Sequence, residues 1–405
     1  MIFTGFILLI GSSNICIKLI SSYYDINHKK MPQLSGKFAL IFFKDRLVAK
    51  NISFVNSINA DFSKELKREV DNYFKSSLKK QTGDWRIFHK TLVLFIALII
   101  LYVLLLFGTL PVWANVIMCV LMGFTFAFIG FNVMHDGGHG SYSDKKWLNE
   151  IMGHSLNVMG ASTYFWKFKH NIVHHTYTNI EGHDDDIDIK PFIRTNKDQK
   201  RYFFHKFQHI YALFLYSITY LFWWAYNDFV KYFSGKILEK KIPEMKTKEH
   251  IGFWLTKVIH IAAFIVLPII VVGWQNALIG YLIISGVTGM IISIVFQLAH
   301  VVEDVDFPTP DAETLKIEEN WFVHQLQTTA NFSTKSKFVS WMTGGLNFQV
   351  EHHLFPKVSH VHYPAISRIV QQVCAKYDIP YHEYPTLAKA IGSHLGYLRV
   401  VGKED

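Results

Sequence analysis

The sequence predicts an all-α integral membrane protein: four transmembrane helices in two hairpins, interfacial helices beside them, and a cytoplasmic helical cap. Half of its 405 residues are hydrophobic and 18% are charged, a charged fraction below the roughly 25% of soluble domains. Several apolar runs reach the roughly 20 residues that a helix needs to cross a bilayer. Histidines, finally, are concentrated in three short clusters, which the cap would bring together as one metal site.

Charge and cysteine content exclude several classes of protein. The net charge of +9 fits a membrane protein whose basic residues gather on the cytoplasmic flanks and meet anionic headgroups. Because no basic run with interleaved aromatics stands apart from those flanks, we expect no nucleic-acid partner. The three cysteines are far apart and odd in number, which argues against a disulfide framework or a cysteine metal site.

Before residue 60 the sequence predicts little structure, and an amphipathic helix is predicted to follow. Residues 1–59 are predicted to be an extension, since the apolar run at 2–10 has no basic segment before it and no clear cleavage site after it. We expect residues 1–30 to be dispensable. Residues 60–90 are predicted to contain a cytoplasmic or interfacial amphipathic helix, because apolar side chains recur every four residues at Phe62, Leu66, Val70 and Phe74.

Two pairs of apolar runs predict the membrane helices. The first pair covers about 91–108 and 114–134, and the second covers 251–273 and 276–299. Each pair is joined by a short uncharged turn, and so short a connection favours antiparallel neighbours. The positive-inside rule places the outer ends of the first pair in the cytoplasm, because basic residues flank them at Arg86, Lys90, Lys145 and Lys146.

A fifth apolar stretch, 207–226, is predicted to lie in the membrane interface instead of crossing. If it crossed, the third histidine cluster would face the opposite side of the membrane from the first two, and one shared metal site could not form. The following segment, 228–250, carries six lysines and is then cytoplasmic, as its charge requires.

The first two histidine clusters have the spacing of metal ligands. His135 and His139 are four residues apart, as are His170 and His174, so each pair would lie on one face of a helix. The next residue, His175, would project about 100° away from His174 on a helix. Adjacent histidines therefore suit two neighbouring ions better than a single one.

The downstream ligands repeat this pattern. His352 and His353 are adjacent, His300 lies at the cytoplasmic end of the fourth predicted span, and Gln349 offers a further ligand, either direct or through water. Eight imidazoles exceed the four to six ligands that one ion takes, so the sequence predicts two metals. Polar groups at membrane depth are expensive and mark function.

Residues beside the clusters are expected to orient the ligand rings, because a ligating histidine usually donates its second N–H to a carboxylate or another acceptor. The candidates for this supporting role are Asp136, His154, Asp185, His324 and Glu351. The acidic run 184–186 is equally consistent with a solvated turn. No Glu-x-x-His pair accompanies the clusters, unlike soluble di-iron bundles, and no substrate-binding residue can be identified.

Three motifs give the chain a resemblance to a known family. They read His135-x3-His139, His170-x3-His174-His175 and Gln349-x2-His352-His353, spread over roughly residues 90–360. In type, order and spacing the sequence resembles the membrane fatty acid desaturases. The glutamine that opens the third motif is the mark of the front-end subgroup, which inserts a double bond between an existing one and the carboxyl end. Within it, the chain resembles the linoleoyl-CoA desaturases without a fused cytochrome b5 domain.

The resemblance implies an oxidoreductase that uses O2 and two non-haem iron ions. It would insert a cis double bond, with delta-6-like regiochemistry, into a long-chain acyl-CoA or acyl-lipid. The implied iron ligands are His135, His139, His170, His174, His175, His300, His352 and His353. Residues 91–360 would form the membrane desaturase domain, with its active site on the cytoplasmic face, and 361–405 the C-terminal cap. The sequence has no His-Pro-Gly-Gly haem motif, so a separate cytochrome b5 or ferredoxin would supply electrons.

Two other functions fit parts of the pattern. A fatty acyl hydroxylase or a related di-iron oxygenase shares these histidine motifs and differs in how the substrate lies. A metal-transporting membrane protein would place its ligands near the bilayer midplane on broken helices. Here the ligands fall at the ends of predicted spans and in cytoplasmic segments, which disfavours transport.

Overall fold

The computed structural model describes residues 52–404, so the expectation for residues 1–30 lies outside the described residues. The first helix, α1 (Ala60–Ser77), buries the four side chains that its periodicity predicts: Phe62, Leu66, Val70 and Phe74. These side chains pack against the helix Tyr363–Tyr377 near the other end of the chain. The two ends of the described chain therefore share one hydrophobic core.

Two long apolar helices follow. Helix α2 (Trp85–Phe107) starts earlier than the sequence predicted, because the Asp84 carboxylate accepts a hydrogen bond from the N–H of Arg86 and caps it. Helix α3 (Val112–His139) contains a π-helical segment, Gly130–Met134. Such segments insert an extra residue into a helix and are frequent at functional sites.

Three helices connect the first histidine cluster to the second. Helix α4 covers Lys146–Gly153 and α5 covers Ser155–Val158. Helix α6 spans 163–177, and its central segment, Lys167–His174, is π-helical. The second histidine cluster therefore lies on a π-helix that continues into an α-helical turn, where the sequence had predicted a regular α-helix.

The next three helices are packed closely. Helix α7 spans 208–234, α8 runs over Thr247–Val272, and α9 runs over Trp274–His300. A Cβ atom added to Gly289 of α9 would lie 2.7 Å from the carbonyl oxygen of Tyr216. Only glycine allows α7 and α9 to approach so closely.

The C-terminal part of the chain is a set of shorter helices. They are α10 (Trp321–Gln327), α11 (Lys337–Met342), α12 (Gln349–Leu354), α13 (Tyr363–Tyr377) and α14 (Leu387–Val401). Side-chain caps fix several of their starts: Asn320 accepts from the N–H of Phe322, and Thr386 accepts from the N–H of Lys389. Helix α12 carries the third histidine cluster.

Three two-stranded ladders tie distant segments together. Strand β1 (Ser53–Phe54) pairs in parallel with β4 (Lys316–Ile317), β2 (Lys236–Ile237) pairs antiparallel with β3 (Lys240–Lys241), and β5 (Asn331–Phe332) pairs in parallel with β6 (Glu383–Tyr384). In the first ladder Ser53 is opposite Lys316. Within residues 52–404 the fold is otherwise helical.

Four helices among the described residues are long and apolar enough to cross a membrane: α2, α3, α8 and α9. The expectation of four helices of this kind is confirmed, and α7 is not in this set. Helix α2 exposes much of its apolar surface, for example Leu92, Ile96 and Ile99, whereas α3 is mostly buried within the protein. Exposed aliphatic side chains on so apolar a helix fit a lipid-facing surface, and the protein is a membrane protein.

Candidate metal centre

The first histidine cluster occupies the last turn of α3. The rings of His135 and His139 lie 4.7 Å apart between centroids, on one side of that turn. The glycines between them permit close packing: a Cβ on Gly137 would lie 2.5 Å from the backbone nitrogen of Gly153, and a Cβ on Gly138 would lie 2.2 Å from the Trp166 ring. The Gly-Gly pair therefore brings α4 and α6 against the cluster.

The second cluster projects from α6 toward the first. The Nε2 atoms of His135 and His170 are 3.2 Å apart, and the rings of His139 and His175 lie 4.9 Å apart. His174 points to a different neighbour, His300 at the end of α9, with the ring centroids 4.8 Å apart. His174 thus lies toward His300 and His175 toward His139, although their ring centroids also lie 4.9 Å and 4.5 Å from that of His353.

The third cluster joins both sets. His352 lies 4.4 Å from His135 between ring centroids, whereas His353 lies 4.8 Å from His300 and 4.9 Å from His174. Helix α12 therefore sends one histidine to each side, repeating the arrangement of the second cluster.

Seven of the eight histidines form two adjoining groups, and the eighth, His175, lies beside both. Subsite A comprises His135, His139, His170 and His352, and subsite B comprises His174, His300 and His353. Within each group the candidate ligand atoms lie within 4.8 Å of one another. His175 groups with His352 and His353 and so lies between the two subsites. Every histidine that was predicted as a ligand belongs to at least one group.

Five of the eight rings are held at Nδ1, which leaves Nε2 for a ligand role. His170 pairs with Asp186 and His174 with Asp184, each at 3.0 Å. His300 Nδ1 lies 3.2 Å from the carbonyl oxygen of Thr328, His352 Nδ1 lies 3.2 Å from the Tyr363 hydroxyl, and His353 Nδ1 lies 2.8 Å from Oε1 of Gln325. Such contacts fix the tautomer and orientation of a ligating imidazole.

The free ring nitrogens fit bound metal. Among the described residues, Nε2 has no hydrogen-bond partner in His139, His174, His175, His300, His352 and His353, although all are buried. Buried polar atoms normally have a partner. The remaining two Nε2 atoms, of His135 and His170, face each other at 3.2 Å, close to the roughly 3 Å between neighbouring ligands that each lie about 2.1 Å from one ion. The residues present therefore suit a metal centre.

Burial keeps most of these rings neutral. Desolvation holds the pKa of His170, His352 and His353 well below the usual histidine value, and the neutral imidazole is the form that binds metal. His174 differs: desolvation opposes its charge, but the carboxylates of Asp184 and Asp186 outweigh it and raise the pKa. Desolvation also opposes the charge of Asp186, but Lys169, His174 and the hydrogen bond with His170 together lower the pKa of that carboxyl.

The predicted supporting residues have other neighbours. Asp136 accepts hydrogen bonds from Ser359 and His360. Asp185 pairs with Lys231 at 2.8 Å. His154 ends α4 on the exposed surface.

The other predicted supporting residues are buried. Glu351 accepts hydrogen bonds from Asn331 and Tyr381. Both ring nitrogens of His324 lack a hydrogen-bond partner among the described residues. The same holds for Nε2 of Gln349.

The groups that do hold the ligand rings were mostly invisible to sequence reasoning. Gln325, Thr328 and Tyr363 are neutral residues. Thr328 contacts His300 through its backbone carbonyl oxygen, which sequence reasoning does not reveal. The signal for Asp184 and Asp186 was present, because both lie in the acidic run that follows the second cluster. The ring of Trp166 also stacks on His170, with the centroids 4.7 Å apart.

Clustered buried imidazoles beside four membrane-crossing candidates are compatible with a metal site in a membrane protein. The sequence model of the family described as "Fatty acid desaturase" matches residues 111–385. The chain is 35% identical to the acyl-lipid (8-3)-desaturase of Physcomitrium patens, over 95% of this chain and 81% of that protein. It is 33% identical to the sn-1 linoleoyl-lipid 6-desaturase of Synechocystis sp., over 88% and 99%, and 32% identical to that of Arthrospira platensis, over 86% and 94%.

This chain belongs to the fatty acid desaturase family. The match spans all three histidine motifs and the helices that carry them. The family assignment from the motifs is confirmed.

Proposed function

We propose that this protein is an O2-dependent fatty acyl desaturase that inserts a cis double bond into a long-chain acyl group by front-end chemistry. The observation that carries this proposal is the pair of adjoining histidine groups, which His175 and the His352–His353 pair join, in a chain of the desaturase family. Two close metal sites built only from imidazole suit iron that must be reduced and reoxidised.

Two iron ions would be held by the seven histidines of subsites A and B and by His175, and they would supply the activation of O2. Gln349 would act as a further ligand, directly or through water. Removing two hydrogens from the acyl chain and reducing O2 to two waters requires two electrons and two protons from outside the substrate. The sequence lacks a His-Pro-Gly-Gly haem motif, so we propose a separate cytochrome b5 or ferredoxin as the electron donor.

The protein's own part in the reaction is positioning and exclusion of water. The ligand rings are buried and held at Nδ1 by Asp184, Asp186, Thr328, Tyr363 and Gln325. This leaves little freedom to the metal positions. An apolar cavity of about 340 Å³ lies among the four membrane helices, but its lining includes Gly108, Val112 and Asn276 at the helix ends away from the histidines.

The relatives support the substrate and the regiochemistry. Their printed names describe acyl-lipid desaturases that act at position 6 or in the 8-3 class. The glutamine at 349 opens the third motif here as in the front-end subgroup. We therefore propose linoleoyl lipid as the substrate and position 6 as the site of the new bond, with acyl-CoA as the alternative carrier.

We further propose that α2–α3 and α8–α9 form two membrane hairpins, with α7 in the interface and the metal centre on the cytoplasmic face. All eight histidines lie together, and only this topology places the ends of α3 and α9 on one side of the membrane. Residues 361–405 then belong to a cytoplasmic cap.

Product analysis tests the proposal. The chain is expressed in a host without polyunsaturated fatty acids, linoleic acid is supplied, and the extracted acyl chains are mapped by gas chromatography and mass spectrometry. We expect a new cis double bond at position 6 that depends on O2 and is lost in His353→Ala. A new bond elsewhere would reject the front-end assignment alone. A hydroxylated acid without a new alkene would show a hydroxylase and reject desaturation.

A further inference from the structure

The first histidine cluster is held differently from the others. Among the described residues, no side chain forms a hydrogen bond with Nδ1 of His135 or His139. Five other ligand rings have a hydrogen-bond partner at Nδ1. The position of this cluster must therefore come from the helical turn that carries it. Asp136 lies in that turn, is 1% exposed, and has no contact with a ligand ring.

Asp136 is the end of a buried chain of polar groups. Its Oδ2 atom accepts a hydrogen bond of 2.6 Å from the Ser359 hydroxyl and lies 3.1 Å from Nδ1 of His360. Nε2 of His360 lies 3.1 Å from Nζ of Lys90, which also donates to Oδ1 of Asn132 at 2.9 Å. Lys90 lies on the membrane helix α2 and is 9% exposed.

The chemistry of these groups fixes the direction of every hydrogen bond. An ammonium group can only donate, so Nε2 of His360 must accept from Lys90. The proton of neutral His360 is then on Nδ1, and it is donated to the Asp136 carboxylate. Lys90 and Asp136 carry opposite charges, and the imidazole between them joins the two. An ion buried inside a protein is costly unless it is paired in this way.

The hydrogen bonds among Lys90, His360 and Asp136 join three parts of the protein. The relative positions of these parts determine the geometry of subsite A. Lys90 belongs to α2, Asp136 to the first histidine cluster, and Ser359 and His360 to the segment that follows the third cluster. Subsite A takes His135 and His139 from the first cluster and His352 from the third. Subsite B takes nothing from the first cluster.

We propose that Lys90, His360 and Asp136 are positioning residues that set subsite A, by fixing the first cluster against the third and against a membrane helix. The proposal rests on the dinuclear centre proposed above. It adds that three residues outside the ligand groups hold one subsite in place. It predicts that substituting any of them removes the metal of subsite A and leaves the metal of subsite B.

Metal stoichiometry of the purified full-length protein tests this assignment. The metal-free protein is loaded with iron without O2 and analysed for bound metal per chain, and the affinity of each site is measured by competition with a chelator. We expect two metals in the unaltered protein and one in Asp136→Ala and in His360→Ala. His362→Ala is the matched control, because His362 is buried two residues from His360 and its ring contacts the carbonyl of Thr82 instead. This control should keep two metals.

Lys90→Met keeps the test decisive if the alanine variants do not fold. It removes the cation and keeps the side-chain length. Because the buried Asp136 carboxylate then lacks its cation, we expect a lower thermal midpoint in a protein that still folds, and an affinity of one site reduced by at least 10-fold. Two metals with unaltered affinity in Lys90→Met and in any alanine variant that folds would overturn the proposal, as would loss of metal in His362→Ala. Fewer than two metals in the unaltered protein would instead refute the proposed dinuclear centre.

Discussion

The groups that accept hydrogen bonds from the ligand rings differ in chemistry between the histidine clusters. Carboxylates hold the second cluster, at His170 and His174, whereas a hydroxyl and an amide oxygen hold His352 and His353. A carboxylate raises the basicity of the ring it holds. The second cluster should therefore contribute the strongest nitrogen donors to both subsites.

Replacing His139 tests the ligand assignment directly. We expect His139→Ala to abolish desaturation, with product reduced at least about 100-fold, because an imidazole of subsite A is lost and no nearby group replaces it. Product is measured by gas chromatography of the acyl chains. His154→Ala is the control, since His154 is exposed and belongs to no ligand group. A fully active His139→Ala variant would refute the ligand role.

The acidic run offers a matched pair of substitutions. Asp184 is fully buried against His174, whereas Asp185 pairs with Lys231 and contacts no ligand ring. We expect Asp184→Asn to lower metal affinity by about 10–100-fold, the usual effect of losing such a partner. Asp185→Asn should leave it within about 2-fold by the same reasoning. Metal competition with a chelator measures both, and equal effects of the two changes would contradict this account.

Local backbone geometry explains why sequence could not choose between these aspartates. Asp184 also accepts hydrogen bonds from the backbone N–H groups of Asn179 and Asp186, which turn the loop so that Asp184 and Asp186 face the histidines. Three consecutive aspartates look alike in a sequence. Their roles depend on that turn.

At the scale of the helices, two π-helical segments shape the metal centre. Gly130–Met134 directly precedes His135, and Lys167–His174 contains two ligands. From the spacing of four residues, the sequence predicted that both ligands of a pair lie on one face of a helix. It could not predict that the helix changes pitch there. A π-helical turn has no hydrophobic periodicity of its own over so few residues, and tertiary packing decides where it forms.

Helix packing in the membrane depends on glycine contacts that can be tested in pairs. A Cβ atom on Gly123 of α3 would lie 2.7 Å from Cβ of Val287 on α9, whereas a Cβ on Gly286 would meet nothing within 4 Å. We expect Gly123→Ala to lower the free energy of unfolding by about 1–3 kcal/mol through overpacking. Gly286→Ala should change it little. Thermal unfolding in detergent measures both variants, and equal midpoints would contradict the close approach of α3 and α9.

At the scale of the whole molecule, one argument from the sequence predicted which apolar stretches cross the membrane. The three histidine clusters must share a side, so 207–226 was predicted not to cross the membrane. The structure has four candidate spans without α7, and the clusters meet. The neutral ring partners and the Lys90–His360–Asp136 chain lay beyond prediction, because they join residues up to 270 positions apart in sequence.

Cysteine labelling tests the topology. In a Cys16→Ser background, where the remaining cysteines Cys119 and Cys374 are buried, we introduce Thr109→Cys between α2 and α3 or Ser234→Cys at the end of α7. Both positions are exposed. A membrane-impermeant maleimide should label Thr109→Cys from outside intact cells and Ser234→Cys only in inverted vesicles. Labelling of both from the same side would show that the proposed topology is wrong.

We propose that these eight histidines would hold two iron ions that would activate O2, and that the protein positions the acyl chain from which two hydrogens are removed. The most direct test is a single turnover. Protein loaded with iron and bound to linoleoyl lipid is reduced without O2, and O2 is then admitted once. We predict one new alkene per two irons, no product without O2, and no product in protein that holds a single iron per chain. Full turnover with one iron per chain, or a hydroxylated product without an alkene, would contradict the account.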